Sequence, residues 1–274
     1  MADQGGSFWI PGFLGSMAAT PQQPGWSATT FYYHTAVSAP SSDAESNTVH
    51  VIPWYVFETP VLGGQAAIGA MGTVGRASAS MDATGARLAD SVASFGDPAP
   101  FLVMRWNAGV NNFLTYVAAD IPVGRYDPNR LSNLGIGHSA IDAGGGYTYF
   151  NPQTGYEFST VLGFTYNLLN PSTQYQNGVD MRIDWGASKF VTKRLQLGLV
   201  GYLYQQVSCD GGSGNQAGCF KSRVAGIGPQ IGYAFPLGDL QGYVNLKAYK
   251  EFDAANRPEG WNVWLTFAIP LGKP

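Results

Sequence analysis

Few side chains of this chain have the types and spacing that enzyme chemistry requires. The three histidines, His34, His50 and His138, lie far apart in the sequence. The Gly-x-Ser-x-Gly pattern that exposes a nucleophilic serine is absent, because residues 211–215 read Gly-Gly-Ser-Gly-Asn. We therefore expect no catalytic residues and no enzyme activity. A Ser–His pair assembled across strands is the alternative that stays open.

The two cysteines are the next candidates for chemistry. Cys209 and Cys219 flank a glycine-rich stretch, and no second cysteine pair or histidine cluster lies nearby. A tetrahedral metal site therefore lacks ligands, and we expect neither a metal nor another cofactor. The spacing favours a disulfide, which would indicate an oxidising compartment. Two free thiols are the alternative.

Charged residues recur at every second position in some stretches. Asp180, Arg182 and Asp184 alternate with apolar residues, and Lys247 and Glu251 lie four positions apart. Successive strand side chains point to opposite faces of a sheet. The pattern thus predicts strands with one charged face and one apolar face.

Composition limits the possible fold classes. Only 12% of the 274 residues are charged, whereas 14% are aromatic and 36 are glycine. No run approaches the roughly 20 apolar residues of a membrane-spanning helix. A net charge of -3 with only 15 Lys and Arg makes nucleic acid an unsuitable partner. These features leave an all-β chain, either soluble or in an outer membrane.

Period-2 alternation predicts twelve strands, and Gly or Pro interrupts most windows that could form a helix. The predicted strands are 26–37, 49–58, 66–76, 100–107, 112–121, 138–150, 156–167, 179–188, 195–206, 222–235, 240–251 and 260–269. The connections alternate between long ones (38–48, 77–99, 122–137, 168–178, 207–221, 252–259) and short ones. Outer-membrane barrels have this alternation. We therefore predict a transmembrane antiparallel up-and-down β-barrel, with a soluble β-sandwich as the alternative.

In a barrel, the polar face of each strand lines the lumen, because a charge facing lipid is costly. We expect the lumen to be lined by Asp180, Arg182, Asp184, Tyr202, Tyr204, Tyr243, Lys247 and Tyr249.

The first 25 residues do not alternate and are rich in apolar and aromatic side chains. Such a segment is unfavourable in water. We predict that residues 1–25 form a plug in the lumen of a barrel comprising 26–274, with a disordered N-terminus as the alternative. The residues expected to form the plug and the substrate path are Phe8, Trp9, Ile10, Phe13 and Leu14. No signal peptide is present, so we expect Met1 to have been added to a mature form.

Two prolines, Pro53 and Pro229, lie inside predicted strands and each removes a ladder donor. Either they mark an edge or bulge, or they weaken a seam through which an apolar solute could leave laterally. Gly226, Gly228 and Pro229 form the better candidate seam.

Several motifs together resemble an outer-membrane family associated with the meta-pathway of phenol degradation. They occur at 5–12, 21–26, 55–64, 105–109, 120–124, 133–138, 175–180 and 249–252. The resemblance implies a twelve-stranded outer-membrane barrel, occluded by its N-terminal segment, that takes up small hydrophobic, often aromatic, molecules in Gram-negative bacteria.

We therefore expect an outer-membrane channel that passes small hydrophobic molecules through a narrow plugged barrel. Its partners would be outer-membrane lipid and the solute, and it would act as a monomer. A porin-like pore for hydrophilic solutes is the main alternative, and a structural barrel is another.

Overall fold

The computed structural model describes residues 8–83, 85–216 and 218–272. Over these residues the chain forms thirteen β-strands and no helix. The strands are β1 (Gly25–Ala39), β2 (Ser42–Val56), β3 (Gln65–Ala83), β4 (Ala86–Phe95), β5 (Ala99–Ala108), β6 (Asn111–Asp120), β7 (Ala140–Phe150), β8 (Tyr156–Asn167), β9 (Asp180–Phe190), β10 (Leu195–Gln206), β11 (Arg223–Leu237), β12 (Leu240–Ala255) and β13 (Glu259–Pro270). Within the described part of the chain, no helix is long and apolar enough to cross a membrane.

Twelve of these strands close into an antiparallel barrel. Strands that follow one another along the chain pair in the ring, except that β3 pairs with β5, and β1 pairs with β13 from Ser27 opposite Pro270 to Ser38 opposite Glu259. The strand β4 lies outside the ring and pairs only with β3. The predicted twelve-stranded barrel is confirmed, with one additional strand.

The additional strand β4 results from a break in the segment that pairs with β3. The first part of β3 pairs with β5 up to Met71 opposite Ala99, and pairing resumes with Val74 opposite Phe95 of β4. Residues 96–98 thus interrupt what would otherwise be one long strand. The prediction of a loop over 77–99 is wrong. Most residues of β4 are exposed, so no buried face produced an alternation that the sequence could reveal.

Two other predicted long connections are also strands. The β1–β2 hairpin turns at residues 40–41, and the β12–β13 hairpin turns at 256–258. The predicted loops 38–48 and 252–259 are therefore wrong, because polar strand ends extend past the apolar part of the barrel. The long loops 121–139, 168–179 and 207–222 lie together at one end, here called the long-loop end.

The outer surface of the barrel is apolar, whereas its interior holds many charged and polar side chains alongside apolar ones. Outward-facing side chains such as Ile141, Phe164 and Leu199 are 44–52% exposed. Inward-facing Asp142 and Asp184 are no more than 1% exposed. A soluble β-sandwich has the opposite distribution, whereas a barrel in lipid has this one.

Candidate functional site

Residues 8–24, here called the lumenal segment, lie against inward-facing side chains of the barrel. The segment rises from the start of β1 at the short-loop end towards the long-loop end. Phe8 packs there against Ala99, Ala118 and Ala140. Residues 1–7 of the predicted plug and residues 273–274 of the predicted barrel domain lie outside the described residues.

Carboxylate and hydroxyl groups of the wall accept hydrogen bonds from the backbone of the lumenal segment. Asp184 accepts from the amides of Gly12, at 2.8 Å, and Leu14, at 3.2 Å. The Met17 amide donates to Glu157 Oε1 and to Ser159 Oγ, both at 3.0 Å. These contacts satisfy backbone groups that have no partner in a helix or a strand.

A second set of wall side chains donates to carbonyls of the same segment. Lys247 Nζ donates to the carbonyls of Gly12 and, at 3.2 Å, Phe13, and the Tyr249 hydroxyl donates to the Gly12 carbonyl at 3.2 Å. Gly12 has a φ of 85°, and a Cβ there would lie 3.0 Å from the rings of Tyr202 and Tyr249. Only glycine fits this conformation without displacing the rings.

Arg182 connects the wall to an aromatic side chain of the segment. Its guanidinium forms a bidentate ion pair with Asp142 of β7 and donates to the Tyr116 hydroxyl. Its Cζ lies 3.5 Å from the centre of the Trp9 ring, which stacks on Tyr116 at 5.7 Å. Arg182 therefore orients Trp9 through a cation–π contact.

The acidic neighbours of Arg182 on β9 have other partners. Asp180 accepts from the Tyr204 hydroxyl at 2.6 Å and from Asn167 Nδ2 at 3.1 Å, whereas Asp184 accepts from the lumenal segment. A bridge between Arg182 and its own-strand neighbours does not form, because Asp142, two strands away, offers bidentate geometry.

The remaining inward-facing tyrosines also have hydroxyl partners. Tyr202 donates to Glu251 Oε1 at 2.7 Å, and Tyr243 donates to Gln196. These contacts connect β10 with β12 across the intervening strand β11.

An apolar cavity of about 270 Å³ separates the lumenal segment from the opposite wall. We call it the main cavity. Its lining combines Phe8, Trp9, Ile10, Phe13 and Leu14 with wall residues that include Ile52, Trp54, Phe101, Arg105, Leu114, Tyr116 and Ala118. None of the predicted lumen tyrosines at 202, 204, 243 and 249 lines this cavity. The wall residues Trp54, Phe101 and Tyr116 were missed, although alternation along their strands was a usable signal.

A second cavity of about 220 Å³, the upper cavity, lies towards the long-loop end. Phe8, Ile10 and Met71 line both cavities and so lie between them. Asp97, Asp120 and residues of the loop 121–139 line the upper cavity. The two cavities therefore follow one another along the inner wall of the barrel.

Strand pairing is interrupted at both prolines that the sequence placed inside strands, Pro53 and Pro229. Pairing of β11 with β12 jumps from Ile227 opposite Lys250 to Gln230 opposite Lys247, so Gly228 and Pro229 are skipped. A Cβ on Gly228 would lie 1.8 Å from the Ala248 carbonyl oxygen, so the two strands still approach closely there.

The gap in strand pairing at Pro53 lies beside the main cavity. Pairing of β2 with β3 jumps from Val51 opposite Gly72 to Trp54 opposite Gly69, which skips Pro53. Ile52, Trp54 and Met71 around this gap line the main cavity, whereas Gly226, Gly228 and Pro229 do not.

Cys209 and Cys219 are bonded to each other in the loop 207–222 at the long-loop end. In the described ranges, no group of three or more His, Cys, Asp or Glu side chains is arranged to hold a metal ion.

The family model described as "Putative MetA-pathway of phenol degradation" matches residues 28–267. The chain belongs to this family. The resemblance found in the sequence motifs is thereby confirmed. No curated protein sequence matches the chain.

Solved structures of outer-membrane barrels have the same fold. The outer membrane channel from Pseudomonas putida F1 matches with a TM-score of 0.77 and 13% identity, over 92% of this chain and 97% of that one. The transport unit of the autotransporter AIDA-I from Escherichia coli matches at 0.53 and 12%, over 95% and 93%. The translocator domain of the autotransporter NalP from Neisseria meningitidis matches at 0.51 and 10%, over 92% and 90%.

At these identities the likeness concerns the fold. This member of the family has the fold of an outer-membrane channel barrel, and its apolar outer surface suits the same environment. The outer membrane of a Gram-negative bacterium stays a prediction, which the barrel fold and the apolar outer surface support.

Proposed function

We propose that this protein takes up small hydrophobic molecules, in particular aromatic ones, along the main cavity. The observation that carries the proposal is an apolar, aromatic-lined space of about 270 Å³ inside a lumen that also holds many charged and polar side chains. Ligand sites for such molecules are mostly apolar, with a few polar groups. A cavity of roughly 150 Å³ accommodates benzene, so a substituted ring has room here. The family description, which names phenol degradation, agrees with an aromatic solute.

The solute enters from the long-loop end through the upper cavity and passes Phe8, Ile10 and Met71. The lumenal segment acts as a plug that closes the lumen to water and leaves only the apolar route along the opposite wall. Exit is lateral, into the bilayer. The gap at Pro53 suits this step better than the seam at Gly226, Gly228 and Pro229, because the main cavity adjoins Pro53.

A porin-like pore is less well supported. Polar side chains in a lumen would favour such a pore, but here they are engaged in other contacts. Asp184 and Lys247 bind the lumenal segment, and Arg182 binds Asp142. A water-filled pore would instead leave such groups hydrated.

Filling the cavity tests the proposal. Ala118 faces the main cavity and is 7% exposed, whereas its neighbour Ala119 points to the other face of β6. We expect Ala118→Phe to lower the saturable rate of toluene entry into protein-containing vesicles by about tenfold, because the ring occupies the route. Ala119→Phe adds the same volume on the outer face and should leave the rate unchanged. Equal rates in wild type and Ala118→Phe would contradict the proposal.

A further inference from the structure

Some residues that line the main cavity have buried donor atoms without a hydrogen-bond partner. Across the described residues, five buried side-chain nitrogen or oxygen atoms lack a hydrogen-bond partner, and three of them belong to residues that line this cavity. They are Trp9 Nε1, Trp54 Nε1 and Arg105 Nη1. All three are donors.

Two indole groups elsewhere in the barrel have an acceptor. Trp106 Nε1 donates to the Leu62 carbonyl at 3.2 Å, and Trp264 Nε1 donates to Asn262 Oδ1 at 2.8 Å. Neither of these tryptophans lines the main cavity. Buried polar groups normally have partners, and exceptions require an explanation. Of the four unpaired donors among the described residues, three therefore belong to residues that line the main cavity, and the fourth is Arg257 Nε.

Arg105 adds an uncompensated positive charge. Its guanidinium carbon lies 5.5 Å from the centre of the Trp54 ring, and its Nε makes a long contact of 3.4 Å to the Ala18 carbonyl. Over the ranges that the structure describes, no carboxylate forms an ion pair with it. By contrast, Arg182 has Asp142. An unpaired buried cation is costly unless a partner arrives.

We infer that the main cavity selects aromatic molecules that carry an acceptor oxygen, with the strongest preference for a carboxylate. This inference rests on the proposed function and specifies its substrate class. The ring lies among the aromatic side chains of the cavity, and the oxygen lies at the Arg105 end. Arg105 and the two indole groups supply donors and no acceptor, so a ligand that itself only donates gains nothing from them.

Binding of benzoate and toluene to the purified full chain tests the inference. The two probes have similar shape, and only benzoate has acceptor oxygens. We expect Arg105→Met to weaken benzoate binding by at least about tenfold more than toluene binding, since a charge-assisted hydrogen bond is lost. Arg105→Lys should restore part of the benzoate affinity, because it keeps the charge but not the planar donor pair.

Arg76 provides a matched control. It lies on β3 and donates to Ser91 at an exposed position away from the main cavity. Arg76→Met should leave the binding of both probes unchanged. Because Arg105 has no anionic partner, Arg105→Met should not lower the unfolding temperature of the unliganded barrel. A purely structural role for Arg105 would lower it.

A second variant keeps the test independent of Arg105. Trp54→Phe retains an aromatic ring and removes one unpaired donor, so it should weaken benzoate more than toluene. If Arg105→Met and Trp54→Phe affect both probes equally, or neither, the inference is overturned while the hydrophobic route stands. If the wild-type protein binds neither probe, the proposed function fails as well.

Discussion

At the scale of single residues, Arg182 joins the barrel wall to the lumenal segment. It pairs with Asp142 on β7 and lies over the Trp9 ring at 3.5 Å. Both members of the ion pair are buried, with exposures of 2% for Arg182 and 0% for Asp142. Removing one member of such a pair leaves the other charge without compensation.

We expect Arg182→Met to lower the free energy of unfolding by about 3–5 kcal/mol, because Asp142 is left as an unpaired buried carboxylate. The measurement is urea unfolding in lipid vesicles, followed by tryptophan fluorescence. The double variant Arg182→Met with Asp142→Asn should recover most of this loss, since it removes both charges. An unchanged urea midpoint in the single variant would show that the pair does not hold the lumen together.

The inward orientation of Arg182 could be predicted from sequence, but its partner could not. Alternation on β9 assigns Asp180, Arg182 and Asp184 to one face. The contact with Asp142 depends on the registers of β7, β8 and β9 together. The β7 segment also contains Gly144, Gly145 and Gly146, which interrupt the apolar pattern. Side-chain pairing across three strands is therefore set by register and not by local sequence.

At the scale of elements, alternation predicts a strand where one face meets lipid and the other meets the lumen. It fails for β4, and for the extended ends of β1 and β2, because water reaches both faces there. β3 has 19 residues, whereas a tilted strand needs roughly 9–11 to cross a bilayer. The hairpin of β3 and β4 therefore projects beyond the membrane at the long-loop end.

The loop 121–139 is fastened to this projecting hairpin. Arg130 forms two hydrogen bonds with Asp90, at 2.6 and 3.1 Å, and the Ser132 amide donates to Asp90 Oδ2 at 3.1 Å. These hydrogen bonds, those from Arg130 foremost, lower the pKa of Asp90 from 3.8 to about 2. The contact is thus formed with the ionised carboxylate.

The loop contact should depend on pH in the direction set by this lowered pKa. Its stabilising effect is complete above the ordinary value of 3.8 and is lost as the pH falls through about 2. Amide hydrogen exchange of peptides from 121–139, corrected for intrinsic rates, should show protection at pH 5 that declines towards pH 2. Arg130→Gln should lose this protection already at pH 5, whereas Arg76→Gln should keep it. Equal protection in wild type and Arg130→Gln would contradict the assignment.

At the scale of the whole molecule, the sequence predicts the barrel more completely than it predicts the lumenal segment. Period-2 strands and family motifs predict the barrel. The lumenal segment has no period, so its composition and the family resemblance were the only signals that placed it in the lumen. Its contacts with Asp184, Lys247 and Tyr249 could not be foreseen. The position of the main cavity depends on which wall the segment leaves free, which no local pattern encodes.

The central claim is that the lumenal segment closes the lumen to water and shapes an apolar route beside it. Deleting residues 8–20 removes the groups that bind Asp184, Lys247 and Glu157, along with one wall of the main cavity. The barrel strands begin at Gly25, so the barrel should still assemble.

The most direct measurement compares the deletion protein with the intact protein in planar bilayers and in vesicles. We expect the deletion to raise single-channel conductance several-fold, to admit hydrophilic solutes, and to abolish saturable toluene entry. Unchanged conductance together with unchanged saturable toluene entry would contradict the account, because the segment would then neither close the lumen nor form the route.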